Sequence, residues 1–127
     1  MVTTEHKLRV AENALSYWDA HPDRWVQGFS GTLRSGVCLA ANVAFHSVTN
    51  DPLDHAPLSV AVMHDLEDEI TFIMGGRMAI WDFNDIVCHC VYEARRPVER
   101  LRDRYRRELE LEPEPVAVSE HEYSLVK

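Results

Sequence analysis

Apolar residues recur through positions 84–109 at alternating steps of four and three: Val87, Val91, Ala94, Val98, Leu101, Tyr105 and Leu109. That spacing draws one continuous seam down a helix, and Asn84 or Asp82 is placed to cap its start. Pro97 lies inside the seam without shifting its phase, which predicts a kink or two helices meeting there. Upstream, Leu8, Ala11, Leu15 and Trp18 form a stripe with Ala14 beside it. Glu5, Arg9, Glu12 and Asn13 face away, so a first helix is expected from a Thr3 or Thr4 cap to about residue 19. His21-Pro22-Asp23 ends it. Residues 24–33 alternate loosely and carry Gly28 and Gly31, the pattern of a turn or short hairpin.

From Gly36 the chain becomes apolar almost all round, which predicts a central buried helix over 37 to about 48, with Asn42 and His46 as its polar exceptions. Asn50-Asp51-Pro52 is a loop, and Pro57 suits the first turn of a third helix buried through Leu58, Ala61, Val62 and Leu66. The acidic run 65–69 forms that helix's solvated end. Residues 70–81 place Gly75-Gly76 between two apolar runs, which favours a β-hairpin with a two-residue primed turn; the alternative ends a longer third helix at Gly75. The expected fold is mainly α. It is a single compact domain over 1–110, with four to five helices, one or two short β-hairpins and a long, Pro97-kinked last helix. An acidic, proline-containing tail over 111–127 is expected to be flexible.

The 127-residue length fits one domain with a proper core. No apolar run approaches the roughly 18 residues a membrane span needs, and the N-terminus lacks the layout of a signal peptide. A cytoplasmic protein with Cys38, Cys88 and Cys90 as thiols is therefore expected. The net charge of −8 is unevenly distributed. Residues 1–94 carry 5 basic and 13 acidic groups, giving −8; residues 95–107 carry 7 arginines against 2 acids, giving +5; residues 108–127 carry Lys127 against 6 glutamates, giving −5. The basic segment reads first as a helix face with intramolecular partners. The alternative is a nucleic-acid face made by Arg95, Arg96, Arg100, Arg104 and Arg107, which the acidic remainder disfavours.

Candidate chemistry is sparse. On a helix Cys88 and Cys90 would point about 200° apart, too far to clamp one ion, and a half-exposed Cys88 beside a buried Cys90 is expected. Asp82, Asn84 and Glu93 echo a calcium loop, but Ile86 and Val87 occupy places that need an oxygen ligand and a glycine. No phosphate cradle, H-E-x-x-H or G-x-S-x-G is present. Neither a catalytic residue, a metal site nor a cofactor is expected. Trp25, Gln27, Trp81 and Asn84 form the remaining constellation, either as the floor of a small-ligand or enzyme pocket or as core plugs with amides satisfying turns.

Trp25-Val26-Gln27-Gly28, Cys38-Leu39-Ala40-Ala41 and Ala79-Ile80-Trp81-Asp82 together resemble a family of small uncharacterised proteins from actinobacteria and their phages. That family carries W-x-Q-G, C-L-x-G-A and A-x-W-N-D elements. Here two residues are inserted in the last element, Ala41 replaces its glycine counterpart, and the arginine-rich extension is longer. The resemblance implies a compact helical domain and no defined activity; for a phage-borne member, capture of a host protein would be a natural use. The leading expectation is a non-enzymatic protein-binding or self-associating module. Its surface would be an uncovered stripe of Val98, Leu101, Tyr105 and Leu109, most simply a homodimer interface.

Overall fold

Thr3 opens the first helix, α1 (Thr4–Ala20), its hydroxyl accepting from the His6 N–H at 3.1 Å in the computed structural model, which describes residues 1–111. Leu8, Val10, Ala11, Ala14, Leu15 and Trp18 are buried along its inner face. The chain then turns back through a small antiparallel hairpin, β1 (Gly31–Thr32) and β2 (Gly36–Val37), which pairs Gly31 with Val37 and Thr32 with Gly36. Val37 also bridges Trp25 in parallel. The strands approach so closely at Gly31 that a Cβ there would stand 1.9 Å from the Gly36 carbonyl oxygen, at a φ of +81°. Only glycine fits.

Helix α2 (Leu39–Phe45) is shorter than the periodicity predicts: Cys38 is its N-cap, with Sγ accepting from the Ala41 N–H at 3.4 Å. Residues 37–43 are buried, but Ala44 and Phe45 turn outward, so the helix is not apolar-packed on every side. Asn42 is fully buried and donates from Nδ2 to the Ala14 carbonyl at 3.1 Å, tying α2 to α1.

A 3₁₀ turn, Pro52–Asp54, leads into α3 (His55–Met74). Here the favoured hairpin over 70–81 is overturned. Leu58, Val62, Leu66 and Ile70 form an unbroken four-residue ladder into the core, and the helix continues to Met74. Gly75 takes the left-handed conformation (φ 73°, ψ 16°) and its N–H closes the last turn onto the Thr71 carbonyl at 2.9 Å. The glycine terminates a helix instead of turning a hairpin.

The last helix also differs from expectation. Residues 84–109 do not form one rod. A single turn, α4 (Ile80–Asp82), runs into a π-helical turn, Phe83–Val87, closed by the Cys88 N–H on the Phe83 carbonyl at 3.0 Å. Cys88 and Cys90 are extended around a bend, and α5 (Val91–Glu108) then passes through Pro97 as one helix. The two segments meet at 88–90, not at Pro97. Neither Asn84 nor Asp82 caps α5; Cys90 is its N-cap residue, and the Glu93 carboxylate reaches back to the His89 N–H.

Helix α5 packs against α1 on one side and α3 on the other. Val91, Ala94, Val98, Leu101 and Tyr105 all enter the core, which draws side chains from all five helices. None of the described helices is long and apolar enough to cross a membrane. The expected flexible tail falls almost wholly outside the described residues.

Candidate functional site

The predicted partner stripe is a core seam. Val98, Leu101 and Tyr105 are fully buried within the chain and Leu109 is partly buried, because α1 and α3 cover the face left open in the sequence reading. Val98, Leu101 and Tyr105 therefore offer no surface to a partner, and Leu109 only part of its side chain.

The predicted arginine face is distributed among acids. Arg95 is buried and reaches Asp19 at 2.7 Å and Glu99 at 3.1 Å. Arg100 holds Glu69 at 2.8 Å and stacks its guanidinium 4.1 Å from the Phe72 ring centroid. Arg104 lies within 3.2–3.7 Å of Asp65, Asp68, Glu69 and Glu108. Burial opposes the Arg104 charge, but Asp65, Tyr105, Glu69 and Glu108 outweigh it and raise its affinity for the proton. Asp65 also accepts from Lys7 at 3.2 Å and from the Tyr105 hydroxyl at 2.7 Å. Burial first, and then that bond to Asp65, pushes the Tyr105 phenol well above its ordinary range. Within the acidic run 65–69, Asp65 and Glu69 are thus internal counterparts of α5, while Asp68 stays solvated. Arg96 sits in the wall of an apolar groove of about 350 Å³ with Phe72, Phe83 and Val87, while Arg107 is exposed. The five arginines do not make one uncompensated basic face.

The cysteines also differ from expectation. Cys88 is buried and Cys90 half-buried, the reverse of the predicted order, because both occupy extended backbone between the π-helical turn and α5. Burial, reinforced by Glu93 and Cys90, pushes the Cys88 thiol up to about 12, which removes it as a thiolate nucleophile at neutral pH. Among the described residues no three His, Cys, Asp or Glu side chains gather where they could hold a metal ion.

The tryptophan–amide set does converge, in two parts. Asn84 is fully buried at the centre. Its Oδ1 accepts from the Trp25 indole N–H at 2.7 Å and from the Leu39 N–H at 3.0 Å. The second bond satisfies one of the free donors at the start of α2. Its Nδ2 donates to the Val26 carbonyl at 3.0 Å and to Asp85 Oδ1 at 2.8 Å. Gln27 Nε2 lies 2.9–3.2 Å from the carbonyls of Asn84, Asp85 and Cys88, which the π-helical turn leaves without helical partners. Trp25, Gln27 and Asn84 therefore stitch the 25–28 strand segment to the π-helical turn; they satisfy backbone groups instead of lining a pocket.

Trp81 is outside this network. The residue is 63% exposed, and it lines a cleft of about 240 Å³ with Gly28, Phe29, Ser30, Cys38 and Asp85. Phe29 is equally exposed at 63%. The Asp85 carboxylate is fixed there, its Oδ1 accepting from the Gly28 N–H at 3.0 Å as well as from Asn84. Sequence reasoning singled out Trp81 but missed Phe29 and Asp85, because only the stitching of residues 25–28 onto the π-helical turn brings them together. A roomier cleft of about 540 Å³ lies on the outer side of α3, between His64, Glu67, Asp68 and Thr71 and the 77–79 segment. Comparison with protein-family models, with curated proteins and with solved structures returns no match, so the family resemblance rests on its sequence elements alone.

Proposed function

We propose that this chain is a non-enzymatic binding module that engages a protein partner through the aromatic corner carried by Phe29 and Trp81. The carrying observation is that two aromatic residues, each 63% exposed, line one cleft beside backbone that the buried Asn84 holds at Val26 and Asp85 holds at Gly28. Leaving two such rings largely in water forgoes on the order of 1–2 kcal/mol each, which docking recovers. Fixed backbone keeps the ordering cost of docking low. Large exposed apolar residues grouped in one place are the usual mark of an interaction surface, and Ile86, 71% exposed, follows Asp85 directly on the same turn. The reading keeps the partner-binding role expected from sequence and moves its surface from α5 to this corner. The setting suggested by the family resemblance, a phage-borne module holding a host protein, is compatible with it.

The test is selection from a random dodecapeptide display library against the intact chain and against Phe29→Ala/Trp81→Ala. Both substitutions are at exposed positions, so the melting temperature should hold within a few degrees. Peptides enriched on the intact chain and lost on the double variant are the expected result. No enrichment, or equal enrichment on both proteins, would overturn the reading.

A further inference from the structure

The cleft between Phe29 and Trp81 carries a carboxylate, and its chemistry is narrower than that of a general apolar surface. Asp85 Oδ1 takes both hydrogen bonds that fix the side chain, from Gly28 and Asn84, while among the described residues Oδ2 has no partner. No lysine or arginine lines the cleft. Asp82, exposed, follows Trp81 in the chain, and the stretch that supplies every lining residue belongs to the 1–94 region, with 13 acidic groups against 5 basic. Arg95, Arg100, Arg104 and Arg106 of α5 hold acids of α1 and α3. Two aromatic side chains and an acceptor-only oxygen in a negative field attract a cation: a ring quadrupole binds positive charge over its face, and a planar guanidinium can stack on a ring while donating to a carboxylate. A neutral apolar side chain would leave the Asp85 carboxylate partly desolvated without compensation.

We infer that the cleft formed by Phe29, Trp81 and Asp85 receives a cationic side chain, arginine or lysine, presented by a basic segment of a protein partner. The inference rests on the proposed docking role of this corner and names the chemistry of what docks there. An open cleft of about 240 Å³ is large enough for a guanidinium and the end of its stem but too small to hold a folded element, so the partner contributes a side chain to it while its backbone lies across the rim.

The three tryptophans permit a direct experiment on the full chain. The Trp18 indole N–H is bonded to the Arg24 carbonyl at 3.0 Å and that of Trp25 to Asn84, whereas Trp81 is exposed. The ¹⁵N-labelled protein is titrated with the blocked pentapeptide Ac-Gly-Arg-Gly-Arg-Gly-NH₂ and with the same peptide carrying citrulline, which keeps the shape of arginine and removes its charge. With the arginine peptide, the Trp81 indole and the Gly28 and Asp85 amides are expected to shift while the Trp18 and Trp25 indoles stay in place. Binding is expected to weaken at least fivefold with citrulline or with Asp85→Asn, which retains the acceptor for Gly28, and to be lost with Trp81→Ala. Raising the salt from 50 to 300 mM should weaken it further, as screening requires. Equal binding of both peptides would overturn the inference, and so would shifts scattered over the acidic surface that survive Asp85→Asn. No response to the arginine peptide alongside Trp81-dependent peptides in the library selection would sink the cation inference alone. Absence of Trp81-dependent peptides from the selection would sink the docking role itself.

Discussion

Asn84 and Trp81 lie three positions apart and behave in opposite ways. Asn84 has no exposed surface and makes four side-chain hydrogen bonds that join three segments. Replacing it by alanine strands the buried Leu39 N–H and removes the partner of the part-buried Trp25 indole and Val26 carbonyl. Unsatisfied buried groups of this kind cost ~1–3 kcal/mol each. Asn84→Ala is therefore expected to lower stability by on the order of 3 kcal/mol in urea denaturation, against less than about 1 kcal/mol for the exposed Trp81→Ala. Cys88 gives a second residue-level prediction, through pH. Its folded thiol holds the proton up to about 12, whereas its ordinary value is 9.0. Because the folded value is the higher one, the stabilisation is complete below about pH 9 and drains away as pH rises toward 12, at up to about 1.4 kcal/mol per unit. Tyr105 acts in the same sense above its ordinary 10.0. The urea midpoint should fall between pH 9 and 11, and Cys88→Ala should flatten that fall while leaving the Tyr105 part. An unchanged slope would mean that Cys88 ionises freely in the folded protein.

Helices were legible wherever the apolar ladder was long. The Thr3 cap, the inner stripe of α1 and the α3 ladder follow directly from spacing. The failures occurred where short-range signals compete. Around Gly75, two apolar runs flanking a glycine pair match a hairpin. The deciding fact was the Leu58–Val62–Leu66–Ile70 spacing upstream, which already committed the backbone to a helix. Phe72, Ile73 and Met74 match a strand in sequence, yet they are the exposed end of that helix. In residues 84–90 the seam spacing continued across a backbone break that it does not encode. The break is set by the tertiary bonds of Gln27 and Asn84, which span 45 or more positions in sequence. The candidate cleft was half legible for the same reason: Trp81 and Trp25 could be picked out by type, but not the proximity of Phe29 to Asp85. A glycine pair separates the two readings of 70–81 by experiment. Gly75 has positive φ and open space where a Cβ would stand, while Gly76 is not in the left-handed region and is equally open. Gly75→Ala should cost about 1 kcal/mol and Gly76→Ala close to nothing. A type I′ hairpin turn needs positive φ at both positions, so equal costs would restore that hairpin.

The whole molecule is held by one core and by an acid–arginine lattice that lets α5 carry seven arginines on a chain of net charge −8. The lattice and the seam together explain why the last helix looks like an interface in sequence and is an internal element in the fold. Arginines flank the seam because α1 and α3 present Glu12, Asp19, Asp65 and Glu69 to meet them. The apolar stripe between the arginines is what those same two helices cover. This arrangement gives opposite outcomes for one substitution. If Leu101 lay at a contact between two copies, Leu101→Glu would yield a folded monomer. As a fully buried residue within the chain, Leu101 has no water to offer a carboxylate, and the cavity term of losing leucine adds to the burial of an uncompensated charge. Together these exceed about 4 kcal/mol, a large share of the 5–15 kcal/mol that holds a domain of this size. Leu101→Glu is therefore expected to lose its cooperative thermal transition and the dispersion of its amide spectrum. Trp81→Glu, on the exposed corner, is expected to keep both and to lose only partner peptides. Light scattering on the two variants completes the comparison. A folded, smaller species from Leu101→Glu would return α5 to the surface and leave the aromatic corner without its special claim.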